Sequence, residues 1–190
     1  MFAVVLDTCV LYPSLQRDFL LSLAVESLYR PLWSNRILEE VEYTETAKLA
    51  AQGVVQDEAE RRARRLVETM RAAFDDALVR NWEPHEGTFG LPDPDDEHVL
   101  AAAVVGGAGA IVTSNVKDFP DTRLPPHLQV IEPAPFAADT VSTAPETALR
   151  ALTNLTRRYR NPPQSVDELL IILEKRYDMI EAVEMMRHVG

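Results

Sequence analysis

Residues 91–119, Leu-Pro-Asp-Pro-Asp-Asp-Glu-His-Val-Leu-Ala-Ala-Ala-Val-Val-Gly-Gly-Ala-Gly-Ala-Ile-Val-Thr-Ser-Asn-Val-Lys-Asp-Phe, read as an acidic loop, a small-residue helix, a glycine stop, a short buried strand and a second acidic turn. Pro94 suits a first helical turn, because its φ is preset and its missing N–H would find no intrahelical partner there. Asp93 is then the expected N-cap, and Asp95, Asp96 and Glu97 put negative charge at the positive end of the helix dipole. Val99, Leu100, Ala102, Ala103 and Gly106 predict a closely packed helix, Gly106 and Gly107 stop it, and Ile111-Val112-Thr113 predicts a strand. Such a unit brings the helix start, with Asp93, Asp95 and Asp96, and the acid after the strand, Asp118, to one edge of a parallel sheet. Open α/β sheets bind ligands at that edge. Capping alone accounts for the helix-start acids; their meeting with Asp118 is what points to a divalent cation.

Upstream, Phe2-Ala-Val-Val-Leu6 is a continuous β-prone run, as expected of a central parallel strand buried on both faces. Asp7 and Thr8 end it, which projects a carboxylate from the strand's C-terminal end. An amphipathic segment over 18–29 follows, with Phe19, Leu20, Leu23 and Leu28 inward, then a short strand at Pro31-Leu32-Trp33 with Ser34 as N-cap of the next helix. In that helix Ile37, Leu38 and Val41 face inward, so Glu40 sits on the boundary of the face while Glu39 and Glu42 point outward. Residues 57–79 predict a long helix striped by Leu66, Val67, Met70, Phe74 and Leu78. Many of its Arg61, Arg62, Arg64, Arg65 and Arg71 are explained by pairs with Glu58, Glu60 and Glu68; a phosphate-contacting strip is the other reading. Trp82 and Phe89 fall in a connecting loop or short strand. Downstream of Asp118, Leu128-Gln-Val-Ile131 reads as a last strand, ended by Pro133 to Phe136. This order predicts a parallel sheet with helices on both faces.

From Thr140 a Ser/Thr/Pro/Ala linker gives way to helices. Thr143-Ala-Pro-Glu146 and Ser165-Val-Asp-Glu168 both match capping boxes, the helix between them is broken at Asn161-Pro-Pro-Gln, and Met179, Ile180, Val183 and Met186 form a further stripe. Arg157, Arg158, Tyr159 and Arg160 suit phosphate and base contact, although a helix C-terminus collects basic residues anyway.

The chain has 190 residues and a formal charge of −11, placed unevenly: residues 1–139 hold 23 acids against 12 Lys and Arg, and residues 140–190 hold seven of each. Such acidity argues against broad electrostatic binding to nucleic acid. It does not exclude a nucleic-acid enzyme whose acids are neutralised by metal ions. The single cysteine, Cys9, excludes an intramolecular disulfide and a cysteine-cluster zinc site, and is expected to be a buried structural thiol. The apolar run at the N-terminus is too short for a signal peptide or membrane span, so a cytoplasmic protein without membrane association is expected. The chain carries no Gly-x-Ser-x-Gly elbow, Walker loop or dinucleotide glycine fingerprint.

The carboxylate candidates are Asp7, Glu40, Asp93, Asp96 and Asp118. Carboxylates packed together raise one another's pKa unless a cation offsets them. Mg²⁺ or Mn²⁺ fits, being hard, oxygen-seeking and held by few carboxylates plus waters, and such ions support phosphodiester hydrolysis without a protein nucleophile. His98, beside the acidic turn, is expected to pack or touch substrate rather than ligate.

Val-Val-Leu-Asp7-Thr, Ser34-Asn-Arg-Ile-Leu-Glu-Glu40-Val, Leu-Pro-Asp93-Pro-Asp-Asp96-Glu-His-Val-Leu-Ala-Ala-Ala and Ile-Val-Thr113-Ser-Asn115-Val-Lys-Asp118-Phe-Pro together resemble the successive motifs of PIN-domain ribonucleases, above all VapC-type toxins of toxin–antitoxin pairs. The resemblance covers residues 1–137, including the Pro-x-Phe ending at Phe136. It implies a three-layer α/β/α fold with a central, mostly parallel sheet, and leaves residues 138–190 as a linker and helical extension. It further implies Mg²⁺- or Mn²⁺-dependent endoribonuclease activity on RNA, homodimerisation and inhibition by a cognate antitoxin. Carried over by motif, the metal-site acids are Asp7, Glu40, Asp96 and Asp118, supported by Asp93, Thr113, Asn115 and Thr8. Cys9 stands where an asparagine is common, and Asn115 where some members have an acid, which leaves Asp118 to complete the site. Glu39 replaces Glu40 if the helix phase is shifted. The rival readings are a PIN-like module that binds RNA or protein without cleaving, and a PIN nuclease of RNA processing or DNA-end cleavage without an antitoxin.

Overall fold

A computed structural model describes residues 1–159 and 162–190. Arg160, from the Arg/Tyr cluster, and Asn161, from the expected helix break, lie outside the described residues. Four strands, β1 (Ala3–Leu6), β2 (Arg30–Leu32), β3 (Ala110–Val112) and β4 (Gln129–Ile131), form one sheet in the order β2-β1-β3-β4. Every pairing is parallel, with Val4 opposite Pro31 on one side and Ala110 on the other. The expected mostly parallel sheet is therefore wholly so. Val4, Val5 and Leu6 are fully buried, as a strand with neighbours on both sides and helices above and below must be.

Nine α-helices are described: α1 (Thr8–Leu11), α2 (Ser14–Val25), α3 (Asn35–Ala51), α4 (Gln56–Ala73), α5 (Glu97–Gly106), α6 (Pro133–Thr143), α7 (Pro145–Thr156), α8 (Val166–Tyr177) and α9 (Ile180–His188). They complete the α/β/α arrangement around the sheet. The expected α5 begins one 3-10 turn later than its sequence suggests. Asp93 does cap, its carboxylate accepting from the N–H of Asp95, but it caps the 3-10 turn Pro94–Asp96 that runs into the helix. Gly107 ends α5 in the left-handed conformation, at φ 65°, a C-terminus that glycine reaches without Cβ strain. Gly106, one position earlier, is needed for space: a Cβ there would meet Val79 Cγ2 at 2.8 Å and Leu32 Cδ1 at 3.0 Å. Small residues thus let α5 lie close against the sheet.

The long helix ends at Ala73, short of the expected Val79, and its buried face is Ala59, Ala63, Val67 and Met70. Trp82 and Phe89 lie in a connection carrying a 3-10 turn at Glu83–His85 and no strand.

Residues 133–143, read in part as a strand end and linker, are helix α6, with Phe136 and Val141 buried. Phe136 packs edge-on against Tyr29, their ring centroids 4.9 Å apart, so apolar burial overrides a composition that suggests a linker. The first expected capping box does not form. Thr143 lies within the last turn of α6 and its hydroxyl donates to the Thr140 carbonyl, while Ala144 precedes α7 without a side-chain cap. The second forms in full, with Ser165 and Glu168 exchanging bonds at the start of α8. Met179, Val183 and Met186 are buried, whereas Ile180 faces outward. One hydrophobic core runs from the sheet through Leu152, Leu169 and Val183 of the extension.

Candidate functional site

The C-terminal end of β1 meets the N-terminal end of α5 and the loop after β3 at an open cavity of about 440 Å³, lined by residues including Asp7, Thr8, Cys9, Glu40, Asp96, His98 and Asn115. Asp7 is 5% exposed. Its Oδ1 accepts from the N–H of Thr8 at 2.6 Å, and its Oδ2 accepts from the hydroxyl of Thr113 at 2.7 Å and the thiol of Cys9 at 3.1 Å. The Asp7 N–H itself donates to Val112 O. This carboxylate is thus aimed by the ladder between β1 and β3, which puts Thr113 directly beside it.

Glu40, half-buried on α3, is held just as fully. Its Oε2 accepts from the Thr8 hydroxyl at 2.7 Å, and its Oε1 lies 3.0 Å from His98 Nε2 and 3.5 Å from Arg36 Nε. Burial pushes the Glu40 carboxyl up, but the bonds from His98, Thr8 and Arg36 outweigh it and hold the group below its ordinary value. Glu39 is exposed and lines a different surface, between α3 and α4, so the helix phase that favours Glu40 is the observed one. Thr8 bridges Asp7 and Glu40 through its backbone N–H and its hydroxyl.

Asp96 sits at the start of α5 with the opposite electrostatics. Its pKa rises from 3.8 to about 6, first through burial and then through the charges of Asp7, Asp93 and Asp118, with His98 opposing. Those acids therefore share one electrostatic site. Asp118, partly buried after β3, is within reach of Asp96 although it does not line the cavity. Asp93 is exposed and engaged in capping, and Asn115 is an exposed residue on the rim whose N–H donates to the Thr113 hydroxyl. Among the described residues no three His, Cys, Asp or Glu side chains form a closed metal-binding cluster. The donors gathered here are hard carboxylate oxygens, the kind that Mg²⁺ or Mn²⁺ takes.

Three contributors escaped the sequence reading. Cys9 is not only structural packing: its sulfur bonds Asp7 and Thr113 and accepts from the N–H of Ser114. Burial and the neighbouring Asp7 push its thiol up to about 11, so it is protonated near neutrality and unsuited to nucleophilic attack. Arg36 bonds both Glu40 and Glu86, tying α3 to the loop before α5. Its i,i+4 spacing from Glu40 was the available signal. Glu97, 3% exposed, accepts from the N–H groups of Phe89 and Leu91 and so fixes the loop that delivers Asp96. His98 is a packing residue, as expected, and one that also orients Glu40. The basic strip on α4 is largely spent: Arg61 and Arg62 pair with Glu58, Arg64 reaches Glu42 on α3, and Arg71 bonds Asn35.

Comparison with known proteins supplies an independent line. A model of the PIN domain matches residues 3–117, and a model of the VapC50 C-terminal domain matches residues 133–188. Over 88 residues the chain is 34% identical to a Mycobacterium tuberculosis protein named "Putative ribonuclease VapC50". That match takes in 46% of this chain and 52% of the relative, so it spans about half the length of the curated protein. No solved structure matches the chain.

Proposed function

The chain belongs to the PIN-domain family, and from that premise we propose that it is a divalent-metal-dependent endoribonuclease acting as the toxin of a toxin–antitoxin pair. The observation that carries the proposal is the set of acids delivered to one cavity by separate elements: Asp7 after β1, Glu40 on α3 and Asp96 before α5, with Asp118 after β3 in electrostatic reach. In this reading Asp7, Glu40, Asp96 and Asp118 hold Mg²⁺ or Mn²⁺, and Asp93, Thr113, Asn115 and Thr8 support them. When bound, the ion supplies Lewis acidity toward a phosphodiester oxygen and toward water.

The chain's own residues prepare for this. Thr8 and Thr113 hold the Asp7 oxygens in place by donating to them. His98 and Arg36 do the same for Glu40. Asp96 retains a proton up to about pH 6, and its proton affinity is what a bound cation would displace. No side chain at the cavity is an activated nucleophile, so water is the attacking group.

The functional division places nuclease chemistry in residues 1–137 and an accessory role in 138–190. The partners in this reading are an RNA substrate, a small antitoxin protein and a second copy of the chain. Its compartment is the cytoplasm. No helix among the described residues is long and apolar enough to cross a membrane.

The test is cleavage of total cellular RNA by purified protein in Mg²⁺, Mn²⁺ or EDTA, beside Asp7→Asn and Asp96→Asn. Discrete cuts that need the metal and vanish in both variants are expected. Folded wild-type protein that leaves the pool intact would instead support an RNA-binding module that does not cleave, a reading favoured by the lack, among the described residues, of a cluster of three metal-holding side chains. Sedimentation of the purified protein checks the dimer, and co-purification with the product of an adjacent small gene checks the antitoxin.

A further inference from the structure

A second, larger cavity of about 810 Å³ lies where the C-terminal extension meets the nuclease-like part. One wall is the α1–α2 connection and α3, with Tyr12, Glu45 and Lys48; the other is Tyr159 after α7, with Arg176 and Tyr177 at the end of α8. Tyr12, 40% exposed, lines both this cleft and the carboxylate cavity. The two spaces adjoin at that residue.

The chemistry of the cleft differs from that of the rest of the molecule. Two cations, Lys48 and Arg176, line the cleft against one carboxylate, Glu45, in a chain whose charge is −11, with Arg17 and Asp18 next to Glu45 and Tyr159. Asp18 and Glu45 are already engaged. Arg17 Nε and the Tyr159 hydroxyl, 3.0 Å away, donate to Asp18, while Glu45 is paired with Lys48 and Arg17. Arg176 is exposed and has no carboxylate partner among the described residues, its guanidinium lying 5.6 Å from the Tyr177 ring centroid. Lys48 lies 5.2 Å from the Tyr12 ring centroid and donates to Ser14 Oγ at 2.9 Å. An unspent cation interleaved with one exposed and two partly buried aromatic rings, in a groove rather than on a smooth helix face, is the arrangement that holds single-stranded nucleic acid by phosphate contact and base stacking.

We propose that this cleft is a subsite for the single-stranded RNA that flanks the cut phosphodiester, with Arg176 taking a backbone phosphate and Tyr12 and Tyr177 stacking bases. The inference rests on the nuclease reading for its substrate class, but it assigns the extension a part in substrate binding. Occupancy of the cleft orders the strand on one side of the carboxylates and fixes the direction in which it enters.

The test is binding of a fluorescent random-sequence RNA of about 12 nucleotides, a length within the span of single-strand sites, to the full chain in EDTA at low salt. Ultraviolet crosslinks are mapped on the same complex. Arg176→Glu and Tyr177→Ala are each expected to weaken binding about ten-fold, the scale of one lost stacking or phosphate contact. Arg176→Lys should restore most of it, the thermal melts of the two Arg176 variants should match the wild type, and crosslinks should fall on Tyr12, Tyr159 or Tyr177. Absence of wild-type binding, or equal binding by Arg176→Glu, overturns the proposal, as it would if the cleft received a protein segment instead. Cleavage measured in parallel separates the two readings. Metal-dependent cutting that Arg176→Glu leaves unchanged removes the cleft and keeps the nuclease, whereas cleft crosslinks without cutting in either metal keep the cleft and remove the nuclease.

Discussion

Asp96 carries a cost that its chemistry explains. An aspartate in the unfolded chain ionises near 3.8, whereas this one keeps its proton to about pH 6. As pH rises between those values the unfolded state has already released a proton that the folded state still binds, so folding loses stability, and the loss is complete above about 6. Asp96→Asn removes the penalty. Because the residue is half-exposed and its charges are screened, the gain is roughly 1 kcal/mol, visible as a higher melting temperature in EDTA above pH 6 and as no gain below pH 4. Adding Mg²⁺ should raise the melting temperature of the wild type and not of the variant.

His98 works in the other direction. Its bond is the strongest of the influences that lower the Glu40 pKa, so His98→Phe, which keeps the ring but loses the donor, should raise that pKa. The acid limb of the pH–rate profile then moves to higher pH, and activity falls about ten-fold, as expected when a group orienting a ligand is lost. Asp7 and Asp96 were legible from their places after a strand and before a helix. The hydrogen bonds of Cys9 and the role of Arg36 were not, because both depend on partners far along the chain.

At the level of elements, short-range rules succeeded where a local cap was the decisive interaction and failed where burial was. Ser165 and Thr143 both open the same four-residue pattern, yet only Ser165 caps a helix. Thr143 is drawn into α6, whose Phe136 and Val141 are buried in the core. Ser165→Ala should therefore cost about 1 kcal/mol in chemical denaturation and Thr143→Ala less. The boundaries of α4 slipped for a similar reason: Trp33 forms a bridge with Leu78, which takes the chain out of the helix before its apolar stripe ends. Gly106 gives the clearest steric test. Its alanine variant pushes a methyl against Val79 and Leu32, for an expected loss of about 1–3 kcal/mol by urea titration.

For the molecule as a whole, the extension shares the core. α7 and α8 pack against α2, and α9 packs on α6, so removing residues from 133 onward uncovers apolar surface on α2. The shortened chain should melt lower and aggregate in light scattering, a consequence of lost burial that holds whether or not the extension touches RNA. The parallel order of strands was predictable from alternating strand and helix signals. The cleft between the two parts was not, since Tyr12 and Arg176 approach each other only when distant helices dock.

The Thr113 hydroxyl that fixes Asp7 is 106 residues away in sequence, and β1 lies between β2 and β3. β1 is thus completed only by a strand made about a hundred residues later. During synthesis, Asp7 emerges from the ribosome well before β3 and has no such strand beside it until the chain has grown past residue 113. Messages cut short before that point yield fragments in which the carboxylates never assemble. Whatever this centre does to its target, a half-translated copy cannot do it.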